Sequence, residues 1–483
     1  MSIKKELTKG VFWIAVAKYS GIAISLLVTA ILARLISPSA FGTIAIAMVI
    51  LHFLNVLSDI GIGVAIVQFK QLTKKNLNDI FTITVFVGII LCLLLFVSSE
   101  LIANYYDDAV LKRVCELMSI VIFFHSLNIV PNGLMRKEKR FKTIALRTLF
   151  FQITSGSIAI WGAFHGWGIY ALIVSPIATA VGVFCVNFYN YPQRISRRIS
   201  KESVSVIMSY SVHQFMFSFC NYFSRNLDKL IIGKQFTMTQ LGYYDKSYHL
   251  MMVPVQNIAY VIDPVLHPIL SSLQNNKKEL KDKNCKLARF VSNISFPIGL
   301  LLFFCGKEII NIVYGDRWDA SIPVFKILAL SLPFQTILST INPIFQSAGD
   351  TRRMFYQGIF NTTITVSGLL FAVFCIGTIE SVAWAWDITL LVNFFNSYFI
   401  LHHFTLKEPS KDFIRVLMPQ IANSAIVFLI CFLGGAILPE LNLIISLIIK
   451  TIVLFASTVI LAQLFHKYSI SDIFVTIRRK AQR

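Results

Sequence analysis

The chain has 483 residues, of which 56% are hydrophobic and only 14% are charged. Soluble globular domains typically carry about a quarter charged residues, so this composition excludes a soluble protein. The net charge of +20 comes from 44 Lys and Arg against 24 Asp and Glu, and it indicates nucleic-acid binding only if membrane topology does not explain it.

Apolar runs predict an all-α integral membrane protein with about fourteen transmembrane helices. A membrane span takes about 20 residues, so fourteen spans with short loops use nearly the whole chain and leave no room for a sizeable soluble domain. The first run follows a lysine-rich start, but it exceeds the apolar core of a signal peptide, and we predict an uncleaved span. The predicted spans cover residues 10–33, 40–66, 80–103, 114–134, 148–164, 166–188, 204–232, 241–270, 290–313, 322–345, 355–376, 381–400, 416–438 and 441–465.

The spacing of these spans predicts the domain organisation. An N-terminal six-helix bundle is expected at residues 1–189 and a second one at 204–403, with a basic cytoplasmic connector at 190–203 between them. Helices 13 and 14 then occupy residues 404–469. The basic cytoplasmic tail at 470–483 is either a short amphipathic helix on the inner leaflet or a charged terminus.

The distribution of basic residues predicts the orientation. With the N-terminus inside, 32 of the 44 Lys and Arg fall in inner segments, 6 fall in outer loops and 6 lie within spans. Lys and Arg concentrate in cytoplasmic loops of membrane proteins, so both termini are expected to be cytoplasmic. Orientation and contact with anionic lipid then explain the positive charge, and no nucleic-acid partner is needed.

A weak internal repeat relates the two halves. Span one leads into span two through Pro38-Ser-Ala-Phe41-Gly42, and span seven leads into span eight through Met238-Thr-Gln-Leu241-Gly242. Both junctions are a helix, a short outer turn, an apolar residue, Gly and another helix. Internal repeats are common in secondary transporters, and chance similarity between apolar segments is the alternative explanation.

Several ionisable residues lie at bilayer depth, where a charge costs at least about 2.5 kcal/mol on insertion scales. Lys18 and Asp59 each lie about eight residues from the inner ends of spans one and two, so a pair between them is conceivable at a depth of about 12 Å. Arg225, Asp228 and Lys229 share one helix face in span seven. We predict substrate-binding cations at Lys18, Arg225, Lys229 and Lys246, and structural ion pairs are the alternative.

Acidic residues within or near spans are candidates for ion pairing or for coupling to a proton or sodium gradient. They are Asp59, Asp228, Asp245, Asp263 and Asp387. Within-span histidines are further relay candidates or hydrogen-bonded core residues, namely His52, His125, His213 and His249. No catalytic residue, metal site or cofactor is predicted, because the eight cysteines never show C-x-x-C spacing and the outer loops are short.

Several motifs resemble a known family. They are Arg225-Asn-Leu-Asp228-Lys-Leu-Ile-Ile-Gly233, Leu241-Gly242-Tyr243-Tyr244, Pro254-Val-Gln256-Asn257 and the segment from His267-Pro268 to Gln274. With the segment from Leu57 to Gln68 and with Val313-Tyr-Gly315-Asp-Arg-Trp318, they resemble Wzx-type polysaccharide flippases, especially the colanic-acid-exporter branch. His267-Pro268 departs from the Phe-Pro that the family tends to carry at this position.

The resemblance implies the multidrug/oligosaccharidyl-lipid/polysaccharide exporter fold, with two six-helix bundles around a central cavity and two additional C-terminal helices. It also implies a flippase that moves undecaprenyl-diphosphate-linked oligosaccharide repeat units from the inner to the outer leaflet by alternating access. Such a protein would serve exopolysaccharide, capsule or O-antigen synthesis in a bacterial cytoplasmic membrane, among membrane lipids. A polysaccharide polymerase and a chain-length regulator are the implied partners.

Three alternatives remain open at this stage. A membrane polymerase or another lipid-linked sugar enzyme would be expected to carry a large outer loop, and the predicted outer loops are short. A drug/cation antiporter or a lipid II flippase would share the same fold. A structural scaffold would not need so many charges at bilayer depth.

Overall fold

The computed structural model of the protein describes residues 3–69, 72–197, 199–200, 222, 226–271, 274, 276–435 and 442–466. Every regular element in these ranges is helical. In chain order they are α1 (Ile3–Leu35), α2 (Pro38–Asp59), α3 (Ile62–Gln68), α4 (Lys74–Tyr105), α5 (Ala109–Lys137), α6 (Phe141–Phe164), α7 (Ile169–Asn190), α8 (226–235), α9 (Met238–Ser271), α10 (Lys277–Phe304), α11 (Gly306–Val313), α12 (Ile322–Leu338), α13 (Ile341–Ser347), α14 (Thr351–Phe371), α15 (Ile379–Phe399), α16 (Lys411–Gly435) and α17 (Leu443–His466).

Helix starts follow local sequence signals. The side chains of Ser37, Thr73 and Asp108 each accept a hydrogen bond from a backbone N–H in the first turn of α2, α4 and α5. Such N-caps satisfy donors that have no partner within the helix. Pro38 follows Ser37 at the first helical position, where its missing N–H costs nothing.

The all-helical membrane architecture is confirmed, whereas the count of fourteen spans stays a prediction. Among the described residues, 11 helical segments are long and apolar enough to cross a membrane. Their outer surfaces are apolar, as shown by Val97 and Leu101 of α4, whose side chains are 73% and 72% exposed. A side chain exposed this far contacts lipid in a membrane, and the chain is a multi-pass membrane protein.

Three predicted spans are not continuous helices. The second span breaks at Ile60 and Gly61, which adopt positive φ angles of 40° and 75°. The ninth breaks at Cys305, between α10 and α11, and the tenth breaks between α12 and α13. Conversely, the predicted inner connector before span nine is mostly helical, because α10 already begins at Lys277. The predicted tail at 470–483 lies outside the described residues.

The chain divides into two units, Met1–Gly242 and Tyr243–Arg483. In the first unit α5 packs against α2, α4 and α7, and α6 packs against α1 and α7. A buried cluster around Ile66, Ile80 and Val130 joins α3, α4 and α5. The predicted bundle boundaries at 189 and 203 stay predictions.

In the second unit α12 packs against α10 and α15, and α16 packs against α10 and α17. A large cluster of buried side chains, including Phe345, Phe394 and Leu401, fills the space between these helices. A smaller cluster of Leu300, Val427 and Leu454 attaches the last two helices to α10.

Three residues of the basic connector, Arg194, Ser196 and Ser200, are hydrogen-bonded to the first unit. Asn78 and Thr82 of α4 accept hydrogen bonds from the backbone N–H groups of Arg194 and Ser196, at 2.9 and 2.8 Å. Asp79, which is fully buried, accepts from both the N–H and the hydroxyl of Ser200 at 3.2 and 3.0 Å. Side chains at the start of α4 therefore hold this loop backbone in place.

The two repeat-related glycines touch each other. A Cβ atom on Gly42 would lie 1.8 Å from the Met238 carbonyl oxygen and 3.1 Å from the Gly242 nitrogen. A Cβ atom on Gly242 would lie 2.1 Å from the Pro38 carbonyl oxygen. The first turns of α2 and α9 thus cross with backbone against backbone, which only glycine permits at these positions.

Candidate functional site

Lys229, a predicted substrate-binding cation, lies in α8 beside the polar face of α2. Its side chain is half-buried, and it lies within electrostatic range of His52 in α2 and of Tyr222. The Tyr222 hydroxyl donates a hydrogen bond to the Val49 carbonyl oxygen, and its ring lies 6.1 Å from that of Phe53. These contacts place the charge of Lys229 against α2.

Asp228, the neighbour of Lys229, is 1% exposed. Successive residues of a helix point about 100° apart, so a buried Asp228 and a half-buried Lys229 face different surroundings. Arg225 and His213, predicted nearby on the same span, lie outside the described residues. Their roles, and the sharing of one face by Arg225 and Lys229, stay predictions.

A second polar group connects α2 with α5. His125 is in electrostatic contact with both Asp59 and His52. At the adjacent positions, the hydroxyls of Ser58 and Ser126 are 2.5 Å apart and both residues are buried. Two of the predicted relay histidines and one of the predicted acidic residues therefore lie together within the first unit.

Asp59 also has a structural task that the sequence did not reveal. It ends α2, and its Oδ1 accepts the backbone N–H of Gly63 at 2.9 Å, which caps the start of α3. Lys18, half-buried on α1, belongs to a helix that packs chiefly against α6, where Gln152 donates to the Gly21 carbonyl at 2.8 Å. The pair predicted between Lys18 and Asp59 stays a prediction.

Lys246 and Asp245 lie at the start of α9 and pair with each other at 3.3 Å. Around them the family-like motifs form one aromatic cluster. The Trp318 ring lies 5.9 Å from that of Tyr243 and 5.4 Å from that of Tyr314, and Trp318 and Tyr314 are fully buried. The motif after span nine therefore packs against the start of α9, and the predicted substrate contact of Lys246 stays a prediction.

Asp387 is an acidic residue of α15 in the second unit. Neither of its carboxylate oxygens has a hydrogen-bond partner within the ranges that the structure describes, although both are buried. Ser331 of α12 lies near the Asp387 side chain, and its hydroxyl donates to the Leu328 carbonyl at 2.7 Å. The side chain of Asp263 is outside the described residues.

Two ion clusters were missed because their partners are far apart in sequence. In the first turns of α10, Lys281 contacts Glu408 at 3.1 Å and Asp412 at 2.9 Å. Beside them, burial, reinforced by the charge of Lys281, lowers the pKa of His402 to about 4. His402 is therefore a neutral imidazole at neutral pH.

The second missed cluster joins α11 to α17. Lys450 Nζ lies 2.5 Å from Glu308 Oε1, and the Ser446 hydroxyl donates to the same oxygen at 2.6 Å. Lys450, a cation within predicted span fourteen, therefore makes a contact between two helices. Glu308, which lies within predicted span nine, is 3% exposed.

Within the described ranges, no three His, Cys, Asp or Glu side chains converge as a metal site would require. The candidate site therefore consists of cations and hydrogen-bonding groups on helices. Such groups are suited to binding an anionic ligand and to moving protons or cations, and they lack a nucleophile with an adjacent base.

Comparisons with known proteins agree with this architecture. The family of polysaccharide biosynthesis proteins matches residues 31–323. The lipopolysaccharide biosynthesis protein WzxC of Escherichia coli is 24% identical over 83% of this chain and 82% of its own length. The succinoglycan biosynthesis transport protein ExoT of Rhizobium meliloti is 20% identical over 79% of this chain and 77% of its own length.

Among solved structures, the lipid II flippase MurJ in an inward closed conformation superposes with a TM-score of 0.74. It covers 95% of this chain and 99% of its own, at 16% identity. This agreement confirms the predicted exporter fold. The relatives, one of which is named a transport protein, bear out a membrane transporter rather than an enzyme. Because the family match spans more than half of its length, the chain belongs to the family of polysaccharide biosynthesis proteins.

Proposed function

We propose that this protein flips undecaprenyl-diphosphate-linked oligosaccharide repeat units from the inner to the outer leaflet of a bacterial cytoplasmic membrane by alternating access. The product would serve exopolysaccharide, capsule or O-antigen synthesis, with a polymerase and a chain-length regulator as partners. The names of its relatives support the pathway. The observation that carries the transport step is Lys229, a cation in a membrane-spanning segment placed against the polar face of α2.

A cation at bilayer depth is suited to binding an anionic ligand, because opposite charges attract strongly where little water screens them. The diphosphate of a lipid-linked sugar would supply negative charge and strong acceptor oxygens. Lys229 and, in the undescribed part of the same span, Arg225 are the proposed diphosphate contacts, with Lys18 and Lys246 as further candidates. The distribution of basic residues supports cytoplasmic positions for both termini.

The substrate proposal predicts a distinct chemical phenotype. Deleting the gene is expected to leave complete single repeat units on undecaprenyl diphosphate facing the cytoplasm and to abolish the surface polymer. Mass analysis of lipid-linked glycans, combined with a leaflet-specific labelling reagent, measures both. Complete units that reach the outer leaflet but stay unpolymerised would contradict the proposal and indicate a polymerase.

In the same strain, complementation with Lys229→Gln or Arg225→Ala is expected to restore less than about a tenth of wild-type export, because a charged hydrogen bond contributes about 1.5–3 kcal/mol. Lys234→Gln is the matched control on α8, since Lys234 pairs with Asp107 at 2.9 Å and has an exposed partner. Membrane levels of each variant are measured by immunoblot. Wild-type export by Lys229→Gln would remove Lys229 from the proposed site.

We also propose that Asp387 couples export to a proton or sodium gradient. A carboxylate without hydrogen-bond partners in the described surroundings needs a bound proton or cation to compensate its burial. Asp387→Asn is expected to uncouple or abolish export, whereas Glu380→Gln, in the first turn of the same helix, is expected to leave it unchanged.

Vesicle assays that collapse one gradient while holding the other distinguish the two ions. Loss of transport when the proton gradient is collapsed assigns protons, and loss on collapsing the sodium gradient assigns sodium. Transport that is insensitive to both gradients, or full activity of Asp387→Asn, would contradict coupling through this residue.

A further inference from the structure

A surface pocket of about 520 Å³ lies between α6 and α7 at the end of the first unit where the α5–α6 turn carries its basic residues. It is separate from the residues proposed above for transport. Its lining includes two cations and four apolar side chains, namely Lys142, Arg147, Leu146, Phe150, Phe151 and Val186, together with Thr143.

Arg147 is a buried residue of this pocket and is held in place by hydrogen bonds, unlike an arginine on the surface. Its residue is 9% exposed, and its guanidinium donates to Asn187, which in turn donates to Asn128 at 2.6 Å. The buried Nε has no hydrogen-bond partner among the described residues. An arginine held by neutral amides with one donor unused is prepared for an anionic ligand.

The local charge balance also favours an anion. Arg136 lies within electrostatic range of Arg147, so two like charges approach each other. The one acidic residue of the turn between α5 and α6, Glu138, is paired with Arg140 at 3.4 Å. None of the ion pairs found in the described part of the chain includes Arg147 or Lys142.

The apolar part of the pocket continues from the polar part along the helix. Leu146 and Phe150 are 48% and 59% exposed, and Phe150 lies about 12 Å along α6 from Lys142. Phe151 packs directly on α7, where a Cβ on Gly182 would meet its ring at 2.1 Å. Lys142 lies 5.4 Å above the ring of Trp13, a residue type typical of the headgroup level.

We propose that this pocket binds an anionic phospholipid of the surrounding leaflet, with the headgroup phosphate on Lys142 and Arg147 and an acyl chain along Leu146 and Phe150. Basic pockets between transmembrane helices are suited to this class of ligand. A polyprenyl phosphate shares the same chemistry, a phosphate on a long hydrocarbon chain, so the experiment must separate the two sources.

The test uses the purified full-length protein in detergent and native mass spectrometry. Phosphatidylglycerol, phosphatidylcholine with identical acyl chains, and undecaprenyl phosphate are titrated separately and in competition. Phosphatidylglycerol is expected to bind at least about tenfold more tightly than phosphatidylcholine. The reason is that its headgroup has a net negative charge to pair with the two cations, whereas the phosphatidylcholine headgroup is neutral overall. Equal binding of the two phospholipids would overturn the proposal.

Variants locate the binding. Arg147→Gln is expected to remove the preference for phosphatidylglycerol, and Lys142→Gln, a change at an exposed side chain that leaves folding intact, is expected to weaken binding about fivefold or more. Lys75→Gln, an exposed lysine at the start of α4, is the charge-matched control and should bind as wild type. An unchanged affinity in Lys142→Gln, or displacement of phosphatidylglycerol by an equimolar amount of undecaprenyl phosphate, would overturn the assignment to a bilayer lipid.

Discussion

Replacing Gly42 with alanine is expected to abolish export and to prevent accumulation of folded protein. The added Cβ would lie 1.8 Å from the Met238 carbonyl oxygen, and a backbone atom has no rotamer with which to move away. Overpacking a well-packed contact costs about 1–3 kcal/mol, and a clash with backbone belongs at or above the top of that range. Gly242→Ala is expected to behave alike, because its Cβ would lie 2.1 Å from the Pro38 carbonyl oxygen.

The matched control is Gly358→Ala, in the interior of α14, where a Cβ would meet nothing within 4 Å. Alanine is favoured over glycine in a helix by about 1 kcal/mol, so this variant should be as stable as wild type or more so. Membrane abundance, thermal unfolding in detergent and export are compared across the three variants. A folded, active Gly42→Ala protein would show that α2 and α9 separate easily at this crossing.

Breaking the pair between Glu308 and Lys450 gives the second large expected effect. Removing one partner of a buried ion pair costs about 3–5 kcal/mol, because the other charge stays buried without compensation. Lys450→Met should therefore lower the thermal unfolding midpoint of the detergent-solubilised protein strongly. Glu308→Gln keeps its shape but loses its charge, and it is expected to be destabilised to a similar extent.

The double variant Glu308→Gln with Lys450→Met decides whether the pair itself is responsible. With both charges removed, stability should return to near the wild-type value, which gives a large coupling free energy in a double-mutant cycle. Lys112→Gln, at a pair with Glu100 in which both side chains are exposed, is the control and should change stability by less than about 1 kcal/mol. Additive losses in the double variant would refute the coupling.

Much of the architecture follows from the sequence because a lipid environment leaves few alternatives. A buried backbone in a bilayer must satisfy its hydrogen bonds internally, so an apolar run of about 20 residues has to be a helix. The repeated Phe41-Gly42 and Leu241-Gly242 junctions likewise predicted two related helix starts. In the structure the two glycines are in contact. Hydropathy therefore predicted the helices, and the positions of the glycines predicted two of the helix starts.

The breaks inside spans could not be predicted by hydropathy, since the residues on both sides are equally apolar. The second span is interrupted by a conformation, the positive φ of Ile60 and Gly61, together with the cap from Asp59 to Gly63. Both are local effects of a few atoms. A hydropathy average over a window of about 19 residues does not detect such local effects.

The site was only partly predictable for a related reason. Lys229 was identified because a cation at bilayer depth is conspicuous, and it does lie beside a polar partner, His52. Lys281 lies in the predicted connector before span nine and Glu308 lies within that span, and their partners are 127, 131 and 142 residues away. A sequence without aligned relatives gives no indication of such long-range pairs, because they arise only when the helices pack.

The bond between Lys450 and Glu308 also constrains how the protein is made. While α17 enters the bilayer alone, its lysine carries a penalty of at least about 2.5 kcal/mol on insertion scales. Glu308 precedes Lys450 by 142 residues, so α11 has left the ribosome before α17 is synthesised. The Glu308 carboxylate is therefore already in place when α17 inserts, and it compensates the charge of Lys450. Forming this ion pair is a late step that stabilises the inserted helix.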